Sequence, residues 1–303
     1  MFGTRDEFHY VECHECGCLQ IAEVPTNLGR YYPSKYFREP DDWLLASDSY
    51  FKSLLKRRRA GHYLNKRTLL GAWLARKFYP PACIDWDWFR NAQVGLNSAI
   101  LDVGCGTGSL LLRLQKEGFA NLTGVDPFID RDRAYGAVRV KKATVAELDR
   151  QFDLVMSHHS FEHVSDPLDM LRQMKRILRP GGSALIRIPV AGSFAWKHYG
   201  VDWVQLDAPR HLFLHTRRSM ELLAQEARLS ITNVIFDSTE FQFWGSEQYR
   251  RGIALVSPES HFVNPSKSSF SEAELEEFRA RATELNNRGE GDSACYYLRH
   301  AAP

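Results

Sequence analysis

Residues 100–109 read ILDVGCGTGS, and this decapeptide restricts the fold more than any other part of the chain. An apolar run suited to a buried strand ends at Asp102-Val103, glycines follow at 104, 106 and 108, and an amphipathic helix pattern opens at Ser109. A strand that passes through glycines straight into a helix is the first half of a β-α-β crossover. Glycine permits the sharp turn and lets a ligand approach the main chain where a Cβ would collide. The remainder keeps the same rhythm. Strands are predicted over 99–103, 121–126, 137–140, 152–157, 183–189 and 231–236, and helices over 109–117, 167–178 and 217–227. Arg179-Pro180-Gly181-Gly182 is expected to be a turn ahead of the fifth of these strands.

The flanks differ in texture. Residues 1–40 form a cysteine-containing segment, and 41–95 read as a helical lid. There Trp43, Leu44, Leu54, Leu55, Leu64, Leu69, Leu70, Trp73 and Leu74 fall at the spacing of one helical face, which Pro80 and Pro81 interrupt. The cofactor-binding domain is placed at 96–303, with an insertion at about 238–292 holding a helix from Ser271 to Asn287. ACYYLRH, 294–300, returns as a last strand.

The glycine loop admits two nucleotide chemistries. A dinucleotide fingerprint, G-x-G-x-x-G, turns a helix N-terminus toward a pyrophosphate. Here the spacing is G-x-G-x-G, position 109 is serine, and Asp102 lies two positions before the first glycine. A carboxylate so near the loop repels a pyrophosphate but attracts an ammonium or sulfonium. Asp126, ending the next strand, suits a ribose diol. S-adenosylmethionine is therefore favoured over NAD. The rival readings are an NAD-dependent oxidoreductase and a non-catalytic cofactor-binding protein that retains the fold.

From about Ala99 to Phe236 the chain resembles the class I S-adenosylmethionine-dependent methyltransferases. LDVGCGTG matches the family's glycine motif, VDP (125–127) resembles its ribose-binding strand end, and FDLVMSHHSFEHVSDPLDMLRQMKRILRPGGSALIRIP (152–189) resembles its fourth strand, helix, turn and fifth strand. The resemblance implies an α/β, Rossmann-like, mostly parallel seven-stranded sheet with helices on both faces and an antiparallel last strand. Here an N-terminal helical extension precedes it. For cofactor binding the resemblance implies Asp102, Gly104, Cys105, Gly106 and Gly108 around the methionine part, Asp126 and Pro127 at the ribose, and Ser157 and His158 beside the transferable methyl. The family often places an acid near the adenine after its third strand. This chain has Lys142-Ala143-Thr144-Val145, so Thr144 or the backbone takes that role.

A general base is needed only where the acceptor must lose a proton, and histidine suits the task because its pKa lies near neutrality. His211, within APRHLFLHT, is the first candidate and His163 the second. His159-x-x-Glu162-His163 resembles the E-x-x-E-H metal motif of RNA 2′-O-methyltransferases, with His211 as a fourth ligand. Helical spacing would bring 159, 162 and 163 to one face, although histidine stands where the first glutamate belongs and the metal-free reading is preferred. Cys13-x-x-Cys16-Gly-Cys18 resembles one knuckle of a zinc ribbon. With no second C-x-x-C, a degenerate remnant is preferred to a zinc site at Cys13 and Cys16.

A formal charge of +2 makes no case for nucleic acid. Locally, Lys52, Lys56, Arg57, Arg58, Arg59, Lys66, Arg67, Arg76 and Lys77 occur with no acid among them. Such a run reads as a solvated helix face, or as a rim for a phosphate-bearing acceptor or an anionic membrane surface. The expected partner is thus a small-molecule or glycan substrate, such as a nucleotide- or lipid-linked sugar, with peripheral membrane contact as a further reading. No apolar run approaches the roughly 20 residues of a membrane span, and Met1–Tyr10 lacks a secretory pattern, so a cytoplasmic protein is expected.

Overall fold

The structure is a computed structural model that describes residues 3–32, 39–64, 68–77 and 84–302. Lys66, Arg67, Pro80 and Pro81, all singled out from sequence, lie outside these residues.

The N-terminal segment forms β1 (Tyr10–Glu12) and β2 (Leu19–Ile21), followed by helices α1 (Asp42–Leu45), α2 (Tyr50–Tyr63), α3 (Leu69–Lys77) and α4 (Trp86–Asn91). The chain then runs β3 (Ala99–Val103), α5 (Ser109–Lys116), β4 (Asn121–Val125), β5 (Arg133–Tyr135), β6 (Val138–Lys141), β7 (Phe152–His158), α6 (Pro167–Arg176) and β8 (Leu178–Pro189). It continues with α7 (Phe194–Tyr199), β9 (Phe213–Leu214), α8 (Arg217–Glu226), β10 (Leu229–Phe236), α9 (Phe241–Arg250), α10 (Glu272–Arg288) and β11 (Ser293–His300).

Eight strands make one sheet in the order β10-β11-β8-β7-β3-β4-β6-β5. β3 pairs in parallel with β4 and β7, β8 continues in parallel beyond β7, and β11 enters antiparallel between β8 and β10. Every residue of β3 is buried because helices cover both faces of the sheet. Alternate side chains serve opposite layers. Leu101 and Val103 join Ile186, Ile188, Met220 and Leu298 beneath α6 and α8, whereas Ile100 joins Leu111, Phe89 and Tyr297 beneath α4 and α5.

Two details depart from the sequence expectation. The sheet has eight strands rather than seven, because β5 folds back antiparallel on β6 at the edge. The Arg179–Gly182 turn lies inside β8: Leu178 pairs with Phe152, and the register then jumps to Leu154 opposite Ser183. Gly181, at φ +78°, takes the left-handed conformation this interruption requires.

The insertion contributes α9 and α10. Ser271 caps α10 by accepting the Glu274 N–H, while the Glu274 carboxylate accepts the Ser271 N–H at 2.8 Å. The N-terminal segment is strand-paired to the rest of the chain. β1, β2 and β9 form a three-stranded sheet, the Tyr10 hydroxyl donates to the His211 carbonyl at 2.7 Å, and the Thr216 hydroxyl donates to the Cys16 carbonyl.

The helical segment overturns one expectation. Leu44, Leu64 and Leu74 are buried, but Trp43, Leu54, Leu55, Leu69, Leu70 and Trp73 are exposed, Leu69 at 94%. The predicted single apolar face is split, because α2 turns Arg59, Ala60 and Gly61 inward. Arg59 pairs with Glu117 and Arg57 donates to the Gly118 carbonyl, which fastens α2 beyond the C-terminal end of α5. That end is remote from the glycine loop, and it is α4 that reaches the loop's side of the sheet.

Burial separates two leucine-sized positions that look alike in sequence. Ile186→Ala, at a fully buried position, is expected to cost about 2–5 kcal/mol, and Leu69→Ala less than about 0.5 kcal/mol. Denaturant unfolding of the two variants checks both.

Candidate active site

The glycine loop is closed against its neighbours by backbone geometry. The Gly104 N–H donates to the Val125 carbonyl at 2.8 Å, which ties the loop to the end of β4. Gly104, Gly106 and Gly108 have φ of +73°, +54° and +90°. A Cβ on Gly104 would lie 2.4 Å from the Ser160 Cβ, and one on Gly108 would lie 2.7 Å from a Val140 methyl. Side chains are excluded here by contact as well as by conformation.

Asp126 completes the loop. Its carboxylate accepts the Gly106 N–H at 3.0 Å and the Phe128 N–H at 2.9 Å. A carboxylate offers about four lone-pair sites, so both oxygens retain capacity for a diol. Asp102 is buried at 3% exposure, and burial followed by the neighbouring charge of Asp126 pushes its pKa up to about 8. A positive group brought to this spot would draw Asp102 back toward its ionised form. A loop kept clear of side chains by its glycines, together with two carboxylates at adjacent strand ends, suits an adenosyl amino acid with a cationic centre.

The end of β7 supplies the next layer. The Ser160 hydroxyl donates to the Val103 carbonyl at 2.7 Å, and the Ser157 and Ser160 hydroxyls lie 2.6 Å apart. The His158 ring packs on Trp88 of α4 with centroids 4.4 Å apart. Both His158 ring nitrogens and the Trp88 indole N–H are buried without hydrogen-bond partners. Burial, with Arg187 nearby, pushes His158 well below its ordinary pKa, so it is neutral at physiological pH.

Beyond His158 the chain does not take the helical geometry on which the metal reading of 159, 162 and 163 rests. His159 adopts φ +50°, and a short 3-10 turn covers Phe161–His163. Glu162, His163 and His211 nevertheless converge, with one ligand atom of each lying within 4.8 Å of the others. His159 stands aside, its Nδ1 3.5 Å from Glu162 and its Nε2 against Arg187.

The two histidines of this trio are held alike. The His163 Nδ1 faces the Arg210 carbonyl at 2.8 Å and the His211 Nδ1 faces the Gln205 carbonyl at 2.7 Å. Each contact assigns the proton to Nδ1 and leaves Nε2 as the atom with a lone pair. Neither oxygen of the buried Glu162 carboxylate has a hydrogen-bond partner. Burial pushes His211 down to about 4, so it is neutral at pH 7. Burial works to raise the Glu162 carboxyl, but contact with His159, followed by the neighbouring His211 and His163, lowers it to about 2.

These groups open on a cavity of about 260 Å³, also lined by Arg187, Asp207, Arg210, Asp237 and Asp292. Arg187 pairs with Asp237 and Arg210 with Asp207. Most of the lining residues are polar or charged, and both guanidiniums are engaged.

The other sequence candidates lie as follows. The Cys105 thiol lies against Gly124, with its Sγ 3.4 Å from the Gly106 carbonyl. Pro127 is exposed. Thr144 is exposed, and its hydroxyl donates to Glu147 at 2.8 Å in a capping box. Cys13 and Cys16 form a tight knuckle in which Gly17 has φ +68° and its N–H donates to the Cys13 carbonyl at 2.7 Å. Cys18 turns inward toward His215, with Sγ to Nδ1 3.7 Å. Among the described residues no third metal-ligating group joins Cys13 and Cys16. Sequence reasoning missed Trp88, Arg187, Asp207 and Asp237, which stand on separate elements and carry no shared motif. Asp237 directly follows β10, but Trp88 lies inside α4 and Arg187 inside β8, so position along the chain gives no common signal.

Residues 57–234 match the family model described as a methyltransferase domain. The chain is 31% identical over 175 residues, 51% of this chain and 73% of the relative, to a ubiquinone biosynthesis O-methyltransferase of Pseudomonas aeruginosa. It is 30% identical over 118 residues, 34% of this chain and 36% of the relative, to a tRNA U34 carboxymethyltransferase of Saccharophagus degradans. Among solved structures, a possible histamine N-methyltransferase of Thermotoga maritima aligns at a TM-score of 0.42 and 15% identity, covering 82% of this chain and 91% of that one.

Asp102 ties stability to pH. Its folded pKa of about 8 exceeds the unfolded value of about 3.9, so the native state binds the extra proton. Stability of the cofactor-free protein is therefore expected to fall as pH rises between about 4 and about 8, by up to about 1.4 kcal/mol per unit. Asp102→Asn should flatten that slope in denaturant titrations run at several pH values.

Proposed function

This chain belongs to the class I S-adenosylmethionine-dependent methyltransferases, and from that premise we propose that it methylates a hydroxyl of a small or medium polar acceptor seated against Glu162, His163 and His211. When bound, S-adenosylmethionine supplies a methyl group already activated by its sulfonium. The chain has then to hold, align and keep water from the two partners, and alignment alone contributes about 7–11 kcal/mol in well-oriented systems. Gly104, Gly106, Gly108 and Asp102 take the methionine part, Asp126 takes the ribose diol, and Ser157 and His158 border the reacting carbon.

The observation that carries the acceptor assignment is the convergence of two imidazoles, each anchored through Nδ1 on a backbone carbonyl, and a carboxylate without a hydrogen bond in one cavity. His211 is the base. Its Nδ1 is anchored on the Gln205 carbonyl, its Nε2 receives the hydroxyl proton, and Glu162 and Asp207, 3.9 and 3.8 Å from Nε2, stabilise the imidazolium. A ubiquinone biosynthesis O-methyltransferase among the relatives supports oxygen as the acceptor atom. Hydrogen-bonding side chains set in partly apolar surface suit a sugar ring. Because both arginines of the cavity are engaged, the phosphate of a nucleotide- or lipid-linked sugar would lie outside it.

One observation favours a second reading of the trio. Histidines fixed through Nδ1 on carbonyls, beside a carboxylate with no hydrogen bond, also make a ligand set for a divalent cation. Glu162, His163 and His211 would then hold a metal that lowers the pKa of the acceptor hydroxyl, with His159 supporting Glu162 from behind.

Three measurements test these readings. S-adenosylhomocysteine should raise the melting temperature and NAD should not, and Gly104→Ala should abolish that rise. His211→Asn should lower labelled-methyl transfer about 100-fold or more while S-adenosylhomocysteine affinity is retained. Metal analysis of purified protein and of His163→Ala separates the base from the metal: no bound divalent ion, and activity indifferent to chelator, leaves His211 as the base alone.

A further inference from the structure

Of the 16 large apolar side chains exposed among the described residues, nine lie between Trp43 and Trp73. They follow the geometry of the helices. On α2, Tyr50 (77% exposed), Phe51 (76%), Leu54 and Leu55 share one outward stripe with Arg58. The opposite side is fixed inward by Arg59, Ala60 and Gly61. On α3, Leu69, Leu70 and Trp73 face out with Arg76 and Lys77, while Gly71 and Leu74 face in. A Cβ on Gly71 would lie 2.9 Å from the Arg58 carbonyl, so the two helices pack backbone to backbone and cannot rotate their stripes inward. The Lys77 ammonium lies 5.1 Å from the Trp73 ring centre.

Charge selects what covers these stripes. From Tyr50 to Lys77 the sequence holds no acid. The acids just before it are Asp41 and Asp42 at the start of α1, and Asp48, which already holds Lys52 and Lys56. A second copy of the chain meeting the same face would set cation against cation. Aromatic and leucine side chains flanked by arginine and lysine suit the boundary between lipid headgroups and acyl chains, where anionic lipids supply the missing negative charge.

We propose that the outward stripes of α2 and α3 seat the protein on an anionic lipid surface. The contact is interfacial: no helix among the described residues is long and apolar enough to cross a membrane. The site is separate from the cofactor loop, because α2 is fastened at the far end of α5, and the inference does not depend on which acceptor the enzyme methylates.

Flotation of the full chain with phosphatidylcholine vesicles, and with the same vesicles containing phosphatidylglycerol, tests the proposal. The protein should float with the anionic vesicles only, and less as salt is raised. Phe51→Glu with Leu55→Glu should abolish flotation. Arg58→Ala with Arg76→Ala should weaken partitioning by roughly 30-fold, about 5-fold for each cation. All variants should keep the wild-type melting shift with S-adenosylhomocysteine, which shows that the fold and the cofactor site persist. Absence of flotation, or equal flotation with neutral vesicles, overturns the proposal. So does a wild-type dimer that Phe51→Glu with Leu55→Glu converts to monomer, which assigns the stripes to a second copy.

Discussion

The two hydrogen bonds from Gly106 and Phe128 to the Asp126 carboxylate hold the site together. They join the turn after β3 to the end of β4, so that a loop of small residues, otherwise free to sample many backbone states, has one shape. The Gly104 N–H to Val125 carbonyl bond fixes the same junction from the other side. Ser160 closes the remaining gap by bonding the Val103 carbonyl and filling the volume a Cβ on Gly104 would need. Three strand ends are thereby locked in register, and the segment after β7 is delivered to the cavity as a consequence. Asp102 is the cost of this closure: a carboxyl buried beside another, with its proton held until a cation arrives.

Much of this was legible in the sequence because the relevant signals are local. A strand that ends in alternating glycines, a carboxylate one strand later, and Pro-Gly-Gly before an apolar run each constrain the backbone within a few residues. The crossovers follow from that order, and the antiparallel last strand follows from the family resemblance that the same motifs carry. The eighth strand was not legible, since Arg133–Tyr135 is three residues at a sheet edge with no apolar alternation to mark it. The side-chain environment of the cavity was not legible either. Trp88, Arg187, Asp207 and Asp237 meet only through tertiary packing, and nothing in the residues around each one names the others.

The helical segment shows where periodicity misleads. Leucines and tryptophans at helical spacing ordinarily mark the side that faces a core. Here the side chosen for burial includes Arg59 and glycine, because Glu117 and the end of α5 offer a partner for a guanidinium, and because Gly71 lets α3 approach the α2 backbone. The apolar residues are left outside by that choice. Sequence pattern reports how apolar a stripe is; which stripe turns inward depends on contacts to residues far away in the chain.

The same distinction governs the histidines. By spacing alone His159, Glu162 and His163 belong to one helical face, and the backbone does not oblige: His159 takes a left-handed conformation and swings toward Arg187. His211, 48 positions after His163 in the chain, fills the place instead, because the Gln205 carbonyl holds its ring as the Arg210 carbonyl holds that of His163. Two carbonyls from one short stretch of chain therefore decide which nitrogens face Glu162. A base and a metal ligand require the same thing of an imidazole at this position, namely a fixed ring, a proton on the distant nitrogen and a lone pair aimed inward. The ring positions have been built to that common requirement, and the chemistry that exploits them rests on what else enters the cavity beside the methyl group.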